Sequence, residues 1–200
     1  MIKAIGDSHA LYMFRKMPGV FAWPLGPVTL KRVGYLEDTI VQDNVSRIGA
    51  ASDDMFLFCF GEIDVRAYVK PWHERTKDKM TLNAMLADWA HRYAEALAAL
   101  DLKGARIGIV SVVPPASAKR SRSAKLPVAG SDKERAEYAR VLNLHLAVEC
   151  EARGWPYVDI HALYADAAGM LPASRSTTGV HVKGNAPIRS LLVDMRLLER

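Results

Sequence analysis

Three short segments combine the residue types that nucleophilic catalysis uses. Gly6-Asp7-Ser8-His9 follows the apolar run Ile2 to Ile5. A serine at the tip of a buried strand points into the crevice at the rim of a sheet, and helix-like backbone after it would offer N–H groups to an oxyanion. Phe58-Cys59-Phe60-Gly61-Glu62-Ile63-Asp64-Val65-Arg66 carries a second apolar run into a glycine, two carboxylates and an arginine. Thr178-Gly179-Val180-His181 lies late in the chain, just before a final helical pattern. A histidine on the same rim can take a proton from serine as general base. Each segment also has a plain structural reading. Ser8 can cap a helix, Asp64 can cap a turn, Glu62 can pair with Arg66, and a lone histidine is more often structural.

These residues need a scaffold that brings distant segments to one rim. Four apolar runs read as buried strands: Ile2 to Ile5, Met55 to Phe60, Ala105 to Val113 and Tyr157 to Ile160. A short strand near Val28 to Val33 is a further expectation. Leu82, Met85, Leu86, Trp89, Tyr93, Leu97 and Leu100 recur at helical spacing, with Gly104 as the expected left-handed terminus. Ser131 and Glu134 have capping-box spacing and open a helix that turns Tyr138, Val141, Leu142 and Val148 inward and stops near Gly154. Pro187 falls in the first turn of the last helix. Alternation of this kind predicts a parallel sheet with right-handed crossovers, whose chemistry sits at the carboxyl ends of the strands. The loops after Ile5, Phe60, Val113 and Ile160 then share one rim.

The 200 residues are expected to form one domain, 1–200, with a single full core. The net charge of +5 favours solubility and attracts anions without specifying a fold. Met1 to Ile5 runs straight into Gly6-Asp7-Ser8, so no secretory signal is expected, and no stretch has transmembrane length. Cys59 and Cys150 read as buried thiols. A cytoplasmic protein with no membrane association is the expectation. The six histidines lack compact ligand spacing, and neither a Walker lysine nor dinucleotide glycine spacing is present, so no metal and no cofactor are expected. Asp159 and His161 alternate on the expected fourth strand and would share a face. The segment 116–130, with Lys119, Arg120, Arg122 and Lys125, reads first as a mobile solvated loop and second as a lid for an anionic substrate. No nucleic-acid recognition signature accompanies it, so no specific nucleic-acid partner is expected.

Taken in order, the segments resemble the blocks of the SGNH/GDSL hydrolase superfamily. The resemblance rests on Gly6-Asp7-Ser8, on Gly61-x-x-Asp64 and on Gly179-Val180-His181. It extends to a bacterial subgroup with Gly-Glu-Ile-Asp followed by Arg, through Leu25 to Gly34, Ser111 to Pro115 and Tyr138 to Asn143. The resemblance implies an α/β, flavodoxin-like three-layer sandwich with a central parallel sheet. It implies Ser8 as nucleophile and His181 as base, with Gly34 donating to the oxyanion and Gly61, Glu62, Asp64 and Arg66 supporting the site. It also implies hydrolysis of a small acyl ester, acetyl on a carbohydrate being the favoured class.

Two positions depart from the superfamily pattern. Ile63 stands where an asparagine would donate to the oxyanion, and losing one such donor costs roughly a hundred- to a thousandfold in rate. Arg66 is the expected replacement. Thr178 stands where an aspartate would orient the imidazole; a dyad with a backbone carbonyl in that role is one alternative, and Asp159 or Asp166 as substitute acid is another, with a loop cap as the plain reading of Asp159. A second hypothesis follows: a weak or inactive SGNH-fold protein that binds a ligand or glycan. Acyl transfer is a third. The acyl group, the alcohol and the oligomeric state are left open.

Overall fold

The computed structural model describes residues 1–35, 39–121, 126–177 and 179–199. Five parallel strands form one sheet in the order β2-β1-β3-β4-β5: β1 (Ile2–Gly6), β2 (Val20–Pro24), β3 (Met55–Cys59), β4 (Arg106–Val110) and β5 (Tyr157–Val158). Eight α-helices are described: α1 (Ser8–Phe14), α2 (Leu30–Tyr35), α3 (Ile40–Ile48), α4 (Val69–Thr76), α5 (Leu82–Ala98), α6 (Asp132–Arg153), α7 (Ile160–Tyr164) and α8 (Ala186–Asp194). This is the expected three-layer α/β sandwich. Among the described residues no helix is long and apolar enough to cross a membrane.

Strand alternation builds the layers. Ile5, Phe56, Phe58 and Ile109 face a cluster closed by α2, α3, α5 and α6. Ala4, Met55, Leu57, Cys59 and Val110 face the opposite cluster, closed by α1, α7 and α8. Both faces of β3 are buried along its whole length, which is why its sequence is a continuous apolar run. In register, Gly6 pairs with Pro24 on one side and Cys59 on the other. A Cβ at Gly6 would lie 2.0 Å from the Cys59 carbonyl oxygen, so only glycine lets β1 and β3 end at the same height. The segments that leave β1, β2 and β3 therefore emerge together.

Several expectations are corrected. Residues 28–33 are not a strand. β2 lies earlier, at Val20–Pro24, and residues 30–35 form α2, whose first two amides are taken by the Asp64 carboxylate. Val28 and Leu30 are buried at strand-like spacing and Leu30 and Val33 at helical spacing, so the short apolar pattern does not separate the two. α5 ends at Ala98, and Gly104 takes its positive φ of 85° in the turn before β4. α6 has the expected capping box and left-handed Gly154, but Val148 faces out, 51% exposed. Asp159 is not on a strand. It is the N-cap of α7, so Asp159 and His161 share no strand face.

Segment 116–130 is anchored wherever it is described; Arg122 and Lys125 lie outside the described residues. The fully buried Arg135 donates to Gly130 O at 2.7 Å and Ala116 O at 3.1 Å, so one guanidinium joins the two ends of the segment. Arg120 donates to the carbonyls of Leu171 and Gly179. The first limb is therefore packed rather than solvated.

Candidate active site

β1 delivers Asp7 and Ser8 to the rim. Asp7 caps α1 through the His9 amide at 2.8 Å, and α1 starts at Ser8. His181 arrives from the other end of the chain. Its loop is closed by a bridge between Ser176 and Val182, and by Thr177 N donating to His181 O at 2.9 Å. Val182 is buried and anchors the loop in the α1/α7/α8 cluster. Gly179 has φ +83°, and a Cβ there would meet Arg120 O at 2.6 Å, so this turn against segment 116–121 needs glycine twice over. Ser8 Oγ and His181 Nε2 stand 2.8 Å apart. That is the reach a nucleophile and its base require.

Two neighbours of His181 escaped the sequence reading. The Tyr12 ring stacks on the imidazole, centroids 3.8 Å apart and planes inclined by 16°. Its signal was available: Tyr12 follows Ser8 by one helical turn on the same face of α1. The second is His9, whose ring centroid lies 4.6 Å from that of His181. His9 Nδ1 is 3.0 Å from Asp7 Oδ1, and Nε2 is 3.2 Å from Val180 O. Adjacency to Ser8 was its signal, but nothing in the sequence ties residue 9 to residue 180.

Buried charge surrounds the pair. Burial alone would lower the pKa of His9, but the charge and hydrogen bond of Asp7, aided by Glu62 and the Val180 carbonyl, outweigh it and hold the group at about 9. His181 is pushed down to about 3, first by burial and then by the positive charges of His9 and Arg66. His181 is thus neutral near pH 7, which leaves one ring nitrogen with a free lone pair. Asp7 Oδ2 is buried with no hydrogen-bond partner among the described residues.

The third segment leaves β3 through Gly61, whose φ of +116° and close approach to Val112 exclude a side chain. A π-helical turn follows, Asp64–Tyr68, the kind of widened turn that re-aims side chains at sites. It buries Asp64 and Arg66. Arg66 Nε and Nη2 donate to Glu62 Oε2 at 3.2 and 3.0 Å. Asp64 accepts from the amides of Leu30 at 2.7 Å and Lys31 at 3.1 Å. Burial raises its carboxyl to about 6 against these two bonds, which lower it. Asp64 therefore fixes α2 to the rim, and Glu62 holds Arg66.

Gly34 and Asp159 are not brought to Ser8. Gly34 lies inside α2 against α5, where a Cβ would stand 2.8 Å from Tyr93 N. The residue of that region that does meet β1 is Leu25, whose amide donates to Gly6 O at 2.7 Å. Asp159 is exposed and accepts from Ala162 N at 3.1 Å, a helix cap and not a partner of His181. Ile63 is buried and apolar. Thr178 lies outside the described residues. A cleft of about 390 Å³ between Met1, Gly19, Arg106 and Leu198 lies at the amino ends of the strands, opposite the rim, and contains none of these groups.

No protein-family model matches the chain, and no curated protein matches it in sequence. Solved structures do match its fold. A Streptococcus pneumonia chain named for platelet activating factor is 16% identical with a TM-score of 0.63, over 97% of this chain and 82% of that one. A GDSL-like lipase from Bacteroides thetaiotaomicron is 14% identical with a TM-score of 0.59, over 98% and 86%. An acetyl xylan esterase is 11% identical with a TM-score of 0.56, over 98% and 99%. The chain therefore shares its fold with these structures, a GDSL-like lipase and an acetyl xylan esterase among them.

Proposed function

We propose that this protein is a serine esterase that hydrolyses a small acyl ester through an acyl-enzyme on Ser8. The observation that carries this reading is the 2.8 Å approach of Ser8 Oγ to the ring of His181. In the first step Ser8 Oγ attacks the ester carbonyl while its proton passes to His181 Nε2. Collapse of the tetrahedral intermediate breaks the acyl–oxygen bond, and the alcohol leaves with that proton. Water then attacks the acyl-enzyme, giving its proton to His181, which returns it to Ser8 as the carboxylic acid departs.

Charge on the intermediate falls to donors around Ser8. The Ser8 amide is the first. Arg66, clamped by Glu62 through Nε and Nη2, keeps Nη1 for the oxyanion in place of the missing asparagine at Ile63. Tyr12 supports the base by stacking on it. An acetyl group on a carbohydrate alcohol is the favoured substrate class. It is supported by the fold shared with an acetyl xylan esterase, at 11% identity.

The test is turnover of short-chain p-nitrophenyl esters by wild type and Ser8→Ala, with mass spectrometry for a serine adduct after a fluorophosphonate probe. Turnover and labelling lost together in Ser8→Ala support the esterase. Folded wild type with neither would leave the fold as a ligand- or glycan-binding module and direct the search to bound sugars.

A further inference from the structure

His9 has a position that the roles of Ser8 and His181 do not require. It is 3% exposed, and its two ring nitrogens face two different acceptors. Nδ1 meets the carboxylate of Asp7 at 3.0 Å, and Nε2 meets the carbonyl of Val180 at 3.2 Å. A neutral imidazole carries one N–H and one lone pair, and a lone pair cannot bond a carbonyl oxygen or a carboxylate. With the Asp7 carboxylate and the Val180 carbonyl both acting as acceptors, both contacts are hydrogen bonds only if both nitrogens are protonated. A neutral ring would leave one nitrogen lone pair facing an acceptor in a buried site, at the cost of an unmade bond.

We propose that His9 is a charged positioning residue, an imidazolium that bridges Asp7 to the Val180 carbonyl, holds the next residue, His181, against Ser8 and keeps that base in its proton-accepting form. The inference rests on the reading of Ser8 and His181 as nucleophile and base. Geometry supplies both parts. A charge-assisted bond to Val180 O fixes the peptide immediately before His181. The two imidazole centroids are 4.6 Å apart, so a second positive charge on His181 would be opposed at close range in a medium of low dielectric.

The groups that face the two rings come from several elements. Asp7 from the β1–α1 junction and Glu62 from the segment after β3 set the field on His9. Cys59 and Ser111, from the ends of β3 and β4, line the same small cavity as His9, Asp7 and Glu62. On His181 act His9 and Arg66 by charge, Ser8 by hydrogen bonding and Tyr12 by stacking. Asp7 and Glu62 are the carboxylates whose charge favours a proton on His9, so a cation there has anionic partners inside the buried cluster.

The experiment reads protonation directly. Uniformly 15N-labelled full-length protein is examined by long-range 1H–15N correlation NMR of its imidazole rings. At pH 7 His9 is expected to carry protons on both nitrogens, and a neutral His9 tautomer would overturn the proposal. His181 is then titrated in wild type and in His9→Gln. Its proton affinity should rise at least about tenfold in the variant, because one of the two repelling cations is gone. The acid limb of kcat/KM for p-nitrophenyl acetate should move to higher pH by the same amount. An unchanged His181 titration would overturn the proposal. The NMR arm needs no turnover, so an inactive wild type counts against the esterase alone. If His9→Gln does not fold, Asp7→Asn serves: His9 should lose one ring proton at pH 7, and its remaining doubly protonated would overturn the bridge.

Discussion

The Asp64 carboxylate accepts the Leu30 amide at 2.7 Å and so ties the loop after β3 to the start of α2. With Lys31 N at 3.1 Å on its other oxygen, one buried side chain serves two amides that α2 itself leaves unbonded. Asp64→Ala removes both acceptors. A loss of about 2–4 kcal/mol is expected from two buried unsatisfied donors, measured by urea unfolding, with Asp64→Asn recovering part of it.

The same group and His9 give stability a pH dependence with two windows. Asp64 is held at about 6 against a usual 3.8, so the native chain keeps a proton that the unfolded chain has released. This contribution is fully present below about pH 4 and falls as pH rises to about 6. His9 at about 9 against 6.5 contributes below pH 6.5 and is lost as pH rises through about 9. Each window is worth at most about 3 kcal/mol. Urea midpoints followed from pH 4 to 10 should decline in both, and His9→Gln should flatten only the upper one.

Arg66 and Glu62 form a buried pair in which one guanidinium is spent on one carboxylate. Arg66→Ala leaves Glu62 buried without its cation, and breaking such a pair costs about 3–5 kcal/mol. Because Arg66 is also the proposed oxyanion donor, kcat should fall roughly a hundred- to a thousandfold in protein that is still folded at low temperature. Turnover left untouched would remove Arg66 from the mechanism while leaving its structural role.

Gly34 is predicted to matter for packing alone. A methyl group at this position would meet backbone, the Tyr93 amide at 2.8 Å, which cannot swing aside. Gly34→Ala should cost about 1–3 kcal/mol by forcing α2 from α5 while leaving the proposed turnover by the folded protein near wild type. A loss of kcat at unchanged stability would return Gly34 to the oxyanion.

Arg135 should hold the two ends of segment 116–130 together. Arg135→Met fills similar volume but leaves the carbonyls of Ala116 and Gly130 without their shared donor. We expect faster proteolysis within 116–130 and a stability loss of about 3 kcal/mol. An unchanged cleavage pattern would mean that the contacts of Arg120 hold the segment by themselves.

The sequence by itself determined the layers and the chemistry-bearing tips of the strands. Continuous apolar runs mark the central strands because both faces of the sheet are covered, and the capping box of α6 is a local code that needs no tertiary partner. The position of Ser8 after β1 and the loop placement of His181 were legible for the same reason. β2 was not, because an edge strand is only half covered and its Val20-Phe21-Ala22-Trp23 carries no clean alternation. Residues 28–33 misled because a short apolar run fits both a strand and a helix, and the group that decides, Asp64, is 34 positions from Leu30. The Ser8–His181 approach, the bridge from Asp7 through His9 to Val180 and the retirement of Gly34 and Asp159 to packing and capping were decided only by the fold. They depend on distances between residues up to 173 positions apart, and local spacing cannot encode such distances.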